Sequence, residues 1–329
     1  MSVIQPFSTE QERALINLRQ RYDGWIDAEQ TLAALPYGLK RKKIGAYEYL
    51  YEIFDRDGNG KSLGPWGATS QAQLDQHKDA KAAAKSRRDR IREVLGESSR
   101  IARALRLPMI SGDAGPILRE ADRRSLLGSH LLVIGTNAMA AYALEAAGAW
   151  RDVPDETEDF DLAWTAEEAG SGTRLWDMLK KVDPTFTINS EREFQARNAK
   201  AYEVELLIAP SRAETLGSKD RPRPIALPEQ EWLLPGRRVD QVLPCRDGTP
   251  ARIVAPDPRW FALHKLWLGD QPKRNPLKRR KDIVQGNALL DAVALAMPHY
   301  PLDDDFAASL PEELRPYWQV WCTRQDSNL

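Results

Sequence analysis

Apolar positions recur at helical spacing through residues 9–35, TEQERALINLRQRYDGWIDAEQTLAAL. The stretch follows a Ser8/Thr9 capping signal, with Glu12 placed to close a capping box, and it predicts a helix or a pair of helices. Residues 46–67, AYEYLYEIFDRDGNGKSLGPWG, alternate aromatic and polar positions around Asp57-Gly58-Asn59-Gly60, the chemistry of a tight hairpin turn. From Ser70 to about Leu107 the chain is rich in Gln, Lys, Ala, Arg and Glu, with Gly96 as its only glycine and no proline before Pro108. That composition predicts one long or broken helix.

Pro108, Gly112, Gly115 and Pro116 interrupt the pattern at 107–118 and mark a boundary, after which the grammar changes. HLLVIG (130–135) is a short apolar run ending in glycine, TNAMAAYALEAAG (136–148) an Ala-rich helix, and DFDLAW (159–164) a strand. TRLWDMLKKV (173–182) reads as a helix, TFTI (185–188) and AYEVELLI (201–208) as strands, with two further strands near 238–243 and 251–255. Such alternation predicts an α/β or α+β core, a sheet covered by helices. Helical periodicity returns in 257–269, 276–297 and 311–322, where Pro258 and Pro311 suit a first helical turn. The predicted organisation is an N-terminal helix and hairpin region (1–110), a core (111–256) and a C-terminal helical domain (257–329).

The length of 329 residues fits two or three domains, and 47 Lys and Arg nearly balance 48 Asp and Glu. The overall charge therefore announces no nucleic-acid or membrane partner. Cys245 and Cys322 stand far apart, outside any CxxC or Cys/His cluster, which argues against a disulfide framework and a structural zinc site. No leader-like N-terminus and no run of about eighteen apolar residues is found. A soluble, cytoplasmic protein is expected.

Candidate chemistry falls in order along the core. A strand ends at Gly135, followed by the Thr136 hydroxyl and small residues that open a helix, an arrangement in which a phosphate can approach backbone N–H groups. Asp159 and Asp161 flank Phe160, so on a strand both carboxylates share one face. Glu203 and Glu205 share a face of a later strand. A basic stretch, HKLWLGDQPKRNPLKRRKDIVQ, places Lys265 on one helix and Lys278, Arg279, Arg280, Lys281 and Asp282 at the start of the next. Adjacent like charges are costly without a cation between them, and three carboxylates beside a glycine-hydroxyl turn suit two Mg²⁺ (or Mn²⁺) ions roughly 4 Å apart at a phosphoryl or nucleotidyl transfer centre.

GTNAMAAY, TEDFDLAW and VELLIAP resemble the three signatures of the nucleotidyltransferase fold of the DNA polymerase β superfamily. The resemblance extends in order over roughly 40–300 to a bacterial nucleotidyltransferase-like group with GTNA, then TxDxD, then HKL…KxxKD, distantly related to abortive-infection nucleotidyltransferase toxins. It implies a mixed sheet flanked by helices and metal-dependent transfer of an NMP from an NTP, ATP included, to an acceptor hydroxyl on RNA, tRNA, protein or a small molecule, with release of pyrophosphate. Asp159, Asp161 and Glu205 would be the catalytic metal ligands, Gly135 and Thr136 would meet the triphosphate, and Lys265, Lys281 and Asp282 would assist. Thr136 stands where Ser is commoner and keeps the hydroxyl, whereas Glu205 replaces an Asp and adds a methylene to its reach.

Plainer readings apply elsewhere. Glu203 fits a hairpin surface, Asp282 can cap a helix or pair with a base, and His264, among Ala262, Leu263, Leu266 and Trp267, fits a packed side chain. DRDGNG imitates the start of a calcium loop, but Trp66 stands where a bidentate Glu is required. KDAKAAAKSRRDRIR (78–92) is diluted by Asp79 and Asp89 and reads as a solvated helix face. Two alternatives to a general transferase stay open: a non-catalytic nucleotide- or RNA-binding protein on the same fold, and a toxin acting on tRNA.

Overall fold

A short strand, β1 (Ile4–Pro6), leads into helix α1 (Thr9–Ala34). Ser8 N–H donates to Gln11 Oε1 at 2.9 Å and Gln11 N–H to Ser8 Oγ at 3.3 Å. The capping box is thus closed by Gln11 rather than Glu12: with Ser8 as the cap, the reciprocal position lies three residues on. Strands β2 (Gly38–Ile44), β3 (Tyr47–Ile53) and β4 (Gly60–Pro65) form an antiparallel sheet before the long helix α2 (Ala68–Ala104). In the β3–β4 turn the Asp55 carboxylate accepts from Asn59 N–H at 3.0 Å and from its side-chain amide at 2.7 Å. Strand β2 lies outside the predicted hairpin, because LKRKKI carries four consecutive cations and so lacks the apolar alternation that marks a strand.

The computed structural model describes residues 3–155, 159–168, 174–217 and 220–327. Thr157 of the TxDxD signature and Thr173 at the start of a predicted helix lie outside the described residues. The chain folds as two units, one of residues 20–98 and one of residues 1–19 with 99–329. Within the smaller unit, Tyr22, Trp25, Ile26, Leu50, Ile53, Leu74 and Leu95 are buried, and Asp27 pairs with Arg87 at 2.7 Å.

In the larger unit follow α3 (Ala114–Arg123), β5 (Leu131–Val133), a 3₁₀ turn over Gly135–Ala138, α4 (Met139–Glu145), β6 (Gly148–Trp150), β7 (Asp159–Trp164) and α5 (Arg174–Val182). Then come β8 (Thr187–Ile188), β9 (Gln195–Arg197), β10 (Glu203–Ile208), β11 (Ile225–Ala226), β12 (Val239–Leu243) and β13 (Ala251–Ala255). Helices α6 (Pro258–Asp270), α7 (Pro276–Ala296), α8 (Asp304–Ser309) and α9 (Arg315–Asp326) complete the unit. Helix α3 falls where glycine and proline suggested a break. Gly115 and Pro116 occupy its first turn, where a missing N–H costs nothing, and Ser111 Oγ accepts from Ala114 N–H. Pro311 opens a turn, and the last helix begins four residues later.

The main sheet runs β5-β7-β10-β9-β8, with β11 also on β10. β7, β10 and β11 are parallel to one another, whereas β5 and β9 run antiparallel to their neighbours, so the sheet is mixed. This is a mixed α/β fold with a helix-flanked sheet, compatible with the nucleotidyltransferase fold. Phe160 and Leu162 of β7 and Val204, Leu206 and Ile208 of β10 are buried on one face, which leaves the other for chemistry. No described helix is long and apolar enough to cross a membrane.

Candidate active site

Parallel pairing of β7 and β10 sets Glu203 opposite Asp159 and Glu205 opposite Asp161. Paired residues of neighbouring strands point to the same side of a sheet, so the four carboxylates form one acidic patch on the face turned away from the core. Apolar alternation thus explains how adjacent acids come to share a surface: the residues between them, Phe160 and Val204, are fully buried.

The turn after β5 fits against this patch. Gly135 has φ +65°, and a Cβ built on it would lie 2.1 Å from Asp161 Oδ2. Both the left-handed backbone and the close approach require glycine. The Asp161 carboxylate stands where a side chain on residue 135 would have to go, and Gly135 itself lines the cavity beside it. Ile134 N–H donates to Asp161 O at 3.0 Å and the Asn137 amide to Asp159 O at 2.9 Å, so the GTNA turn is pinned to the acidic strand at two points. Thr136 is buried, with its hydroxyl 3.5 Å from Gln285 Nε2, which itself donates to Pro154 O at 2.6 Å.

Helices α6 and α7 bring the cations. Pro258 and Pro276 open them behind Asp257 and Asn275, whose side chains accept from Arg259 N–H and Leu277 N–H. A Cβ on Gly286 would lie 2.7 Å from Leu266 Cγ and 2.8 Å from Ala262 O, so only glycine lets α7 approach α6 this closely. Between the helices Lys265 Nζ donates to Asp282 Oδ1 at 2.7 Å, and Arg274 donates to Asp282 Oδ2 at 2.9 Å. Lys278 Nζ reaches Asp159 Oδ2 at 2.9 Å. Asp159, Asp161, Glu205, Gly135, Thr136, Lys265, Lys281 and Asp282, all singled out from the sequence, line one cavity of about 140 Å³.

The acids raise one another's proton affinity. Burial, then Asp159 and Glu205, push Asp161 up to about 7 against the pull of Lys265 and Lys278. Burial and Asp159 also raise Glu205, opposed by Lys278 and by a hydrogen bond from Gln195. For Lys278, burial lowers the ammonium, but its pairing with Asp159 outweighs it and holds the group above its ordinary value. Lys281 is lowered by burial and by Lys265.

A family model described as nucleotidyltransferase matches residues 113–310, a span that takes in the GTNA turn, both acidic strands and helices α6 and α7. The chain belongs to the nucleotidyltransferase family. No curated protein and no solved structure matches it. As a member, it is an enzyme whose general chemistry is transfer of a nucleotidyl group from a nucleotide substrate.

Nucleotidyltransferases generally use divalent metals. In this nucleotidyltransferase the donor set fits such an ion: hard carboxylate oxygens on two adjacent strands, where burial and then mutual repulsion lift Asp161 towards neutrality. As the side chains stand, no three His, Cys, Asp or Glu among the described residues are arranged to hold one. Gln195 Nε2 donates to Glu205 Oε1 and to Glu203 Oε2, both at 3.0 Å, while Lys278 takes Asp159.

Several residues at the transferase site were not chosen from the sequence. Lys278 lies four residues before Asp282, and Gln285 three after it, so a helical-face argument over KRRKDIVQ could have found both. Asn137 belonged to the quoted GTNA motif but had no assigned part. Gln195 was beyond reach, because it meets Glu205 only through antiparallel pairing of β9 with β10.

Proposed function

We propose that the chain is a metal-dependent nucleotidyltransferase of the GTNA/TxDxD type in the DNA polymerase β superfamily, moving an NMP from an NTP to an acceptor hydroxyl. The observation that carries the proposal is the register that puts Asp159, Asp161 and Glu205 on one face beside Gly135 and Thr136, in a cavity also lined by Lys265, Lys278 and Lys281. Asp159, Asp161 and Glu205 are the residues that would hold divalent magnesium or manganese, in a two-ion arrangement. Such ions, when bound, supply charge neutralisation for the triphosphate and activation of the attacking hydroxyl.

The chain's own residues do the rest by position and charge. Lys265 and Lys281 present positive charge to the phosphates, and Asp282 fixes Lys265 and Arg274 in place rather than meeting the substrate itself. Lys278, on entry of a triphosphate, exchanges Asp159 for phosphate oxygen. The acceptor oxygen bonds to the α-phosphorus, the bond from that phosphorus to the bridging oxygen breaks, and pyrophosphate leaves. The acceptor hydroxyl gives up its proton to water as its oxygen bonds to the phosphorus.

Purified protein incubated with each labelled NTP and Mg²⁺ or Mn²⁺, with and without RNA, tests the proposal. Pyrophosphate release that disappears in an Asp159→Asn/Asp161→Asn double variant is the expected result. NTP binding with no turnover under any condition would refute transfer and leave a nucleotide-binding protein.

A further inference from the structure

Beyond the acids the cavity changes character. Leu207 stands two residues after Glu205 on the same face of β10, and it continues the cavity wall together with Leu227 and with Phe261 of α6. Three apolar side chains of this kind match the flat faces of a nucleobase. Into the same space come Glu229 and Gln230, from the 3₁₀ turn Pro228–Leu233, and His264 of α6.

Gln230 is 3% exposed and His264 4%. The side-chain carbonyl of Gln230 has no hydrogen-bond partner, and neither ring nitrogen of His264 has one. Buried polar atoms are nearly always paired, so a cavity lined by two residues that carry three orphaned atoms marks a place where a ligand completes the bonding. Burial, helped by the Lys265 charge, pulls His264 down to about 3, so its ring is neutral, with one N–H to give and one lone pair to accept.

We propose that Gln230, His264 and Glu229 read the Watson–Crick edge of the base of the nucleoside triphosphate and select an exocyclic amine beside an acceptor ring nitrogen there, as in adenine or cytosine, over a carbonyl beside a ring N–H. The inference rests on the transferase reading and adds to it the class of nucleotide. Gln230 Oε1 accepts from the amine, and the His264 N–H donates to the neighbouring ring nitrogen. The Glu229 carboxylate, on the same cavity, adds a further acceptor that favours an amine. Guanine and uracil present a carbonyl oxygen and a ring N–H on that edge. A flipped Gln230 amide and the other His264 tautomer would suit them, but the Glu229 carboxylate can only accept and so sets oxygen against their carbonyl.

Calorimetric titration of the full chain in Mg²⁺ with ATP against ITP, CTP against UTP, and inorganic tripolyphosphate tests it, because each pair differs at the amine-to-keto exchange. In at least one pair the amine-bearing nucleotide is expected to bind about tenfold tighter or more, since the keto base leaves a buried polar group without its hydrogen bond. Glu229→Gln, which can donate as well as accept, should then bring that ratio close to one. A preference in the first pair alone makes the base adenine, and in the second alone cytosine. Ratios below tenfold or inverted in both pairs, with tripolyphosphate still bound, overturn the base-reading inference and leave the transferase standing. Failure of every nucleotide and of tripolyphosphate to bind overturns the transferase reading itself. The wild-type ratios decide the matter even where Glu229→Gln does not fold.

Discussion

Replacing Asp282 by Asn tests what holds helices α6 and α7 together. Asp282 is fully buried, receives Lys265 at 2.7 Å and Arg274 at 2.9 Å, and Lys265 is 3% exposed. An amide keeps the shape but removes the carboxylate bonded to Lys265, so a buried ammonium loses its charge partner. Breaking a buried pair in this way costs about 3–5 kcal/mol, because the stranded charge keeps its desolvation penalty. For a unit of this size each kcal/mol moves the melting point by about 2–4 °C, so Asp282→Asn should melt roughly 6–20 °C lower. Adding Lys265→Met removes the stranded ammonium and should restore part of the loss. A double-mutant cycle by calorimetry is expected to show a coupling of about 2 kcal/mol or more. Asp282→Asn costing under about 1 kcal/mol, with additive single and double variants, would refute the view that the ion cluster fixes this part of the site.

Gly135→Ala places a methyl 2.1 Å from Asp161 Oδ2 at φ +65°. It should lower the melting point by about 2–8 °C, from roughly 1–2 kcal/mol of backbone strain, and weaken Mn²⁺ binding; unchanged Mn²⁺ titrations would count against the close packing. The pH dependence follows from Asp161, held at about 7 in the fold, and from Glu205, raised in the same sense. Between about 4 and 7 the native chain keeps a proton that the unfolded chain sheds, so metal-free stability falls as pH rises through this window. Divalent affinity rises over the same interval as the competing proton leaves. Melts and Mn²⁺ titrations from pH 4 to 8 check both signs, and Asp161→Asn should flatten the stability profile. Lys278→Met removes the cation at Asp159, and without nucleotide should raise Mn²⁺ affinity roughly two- to fivefold, the worth of a half-exposed pair. The same variant should bind triphosphate more weakly, and no change in either titration would sink the exchange proposed for Lys278.

Much of the larger unit was legible from local pattern. The acid-bearing strand 159–164 agrees with its predicted span, and helices 258–270 and 276–296 agree to within a residue. The strand opens on alternating burial, helix 276–296 buries one side, and both helices carry capping residues that act within a single turn. Short elements were missed for the converse reason: β1, β6 and β9 are three residues each, too short to display a period. Gly115 and Pro116 misled because the same residues that stop a helix are tolerated in its first turn.

At the candidate site the division is similar. That Asp159 and Asp161 share a face follows from strand geometry alone, and Gly135 announces a position where a side chain cannot fit. Which carboxylate stands opposite Asp161 depends on the register between β7 and β10, far apart in the chain, and no local signal encodes it. The partners of the cations depend likewise on how closely Gly286 lets two helices pack. Lys265 and Asp282 could be named from the sequence as charged neighbours of a site, but only three-dimensional packing made them an ion pair. Residue chemistry is carried by each side chain separately, whereas partnership is a property of distance, and distance is settled by the fold as a whole.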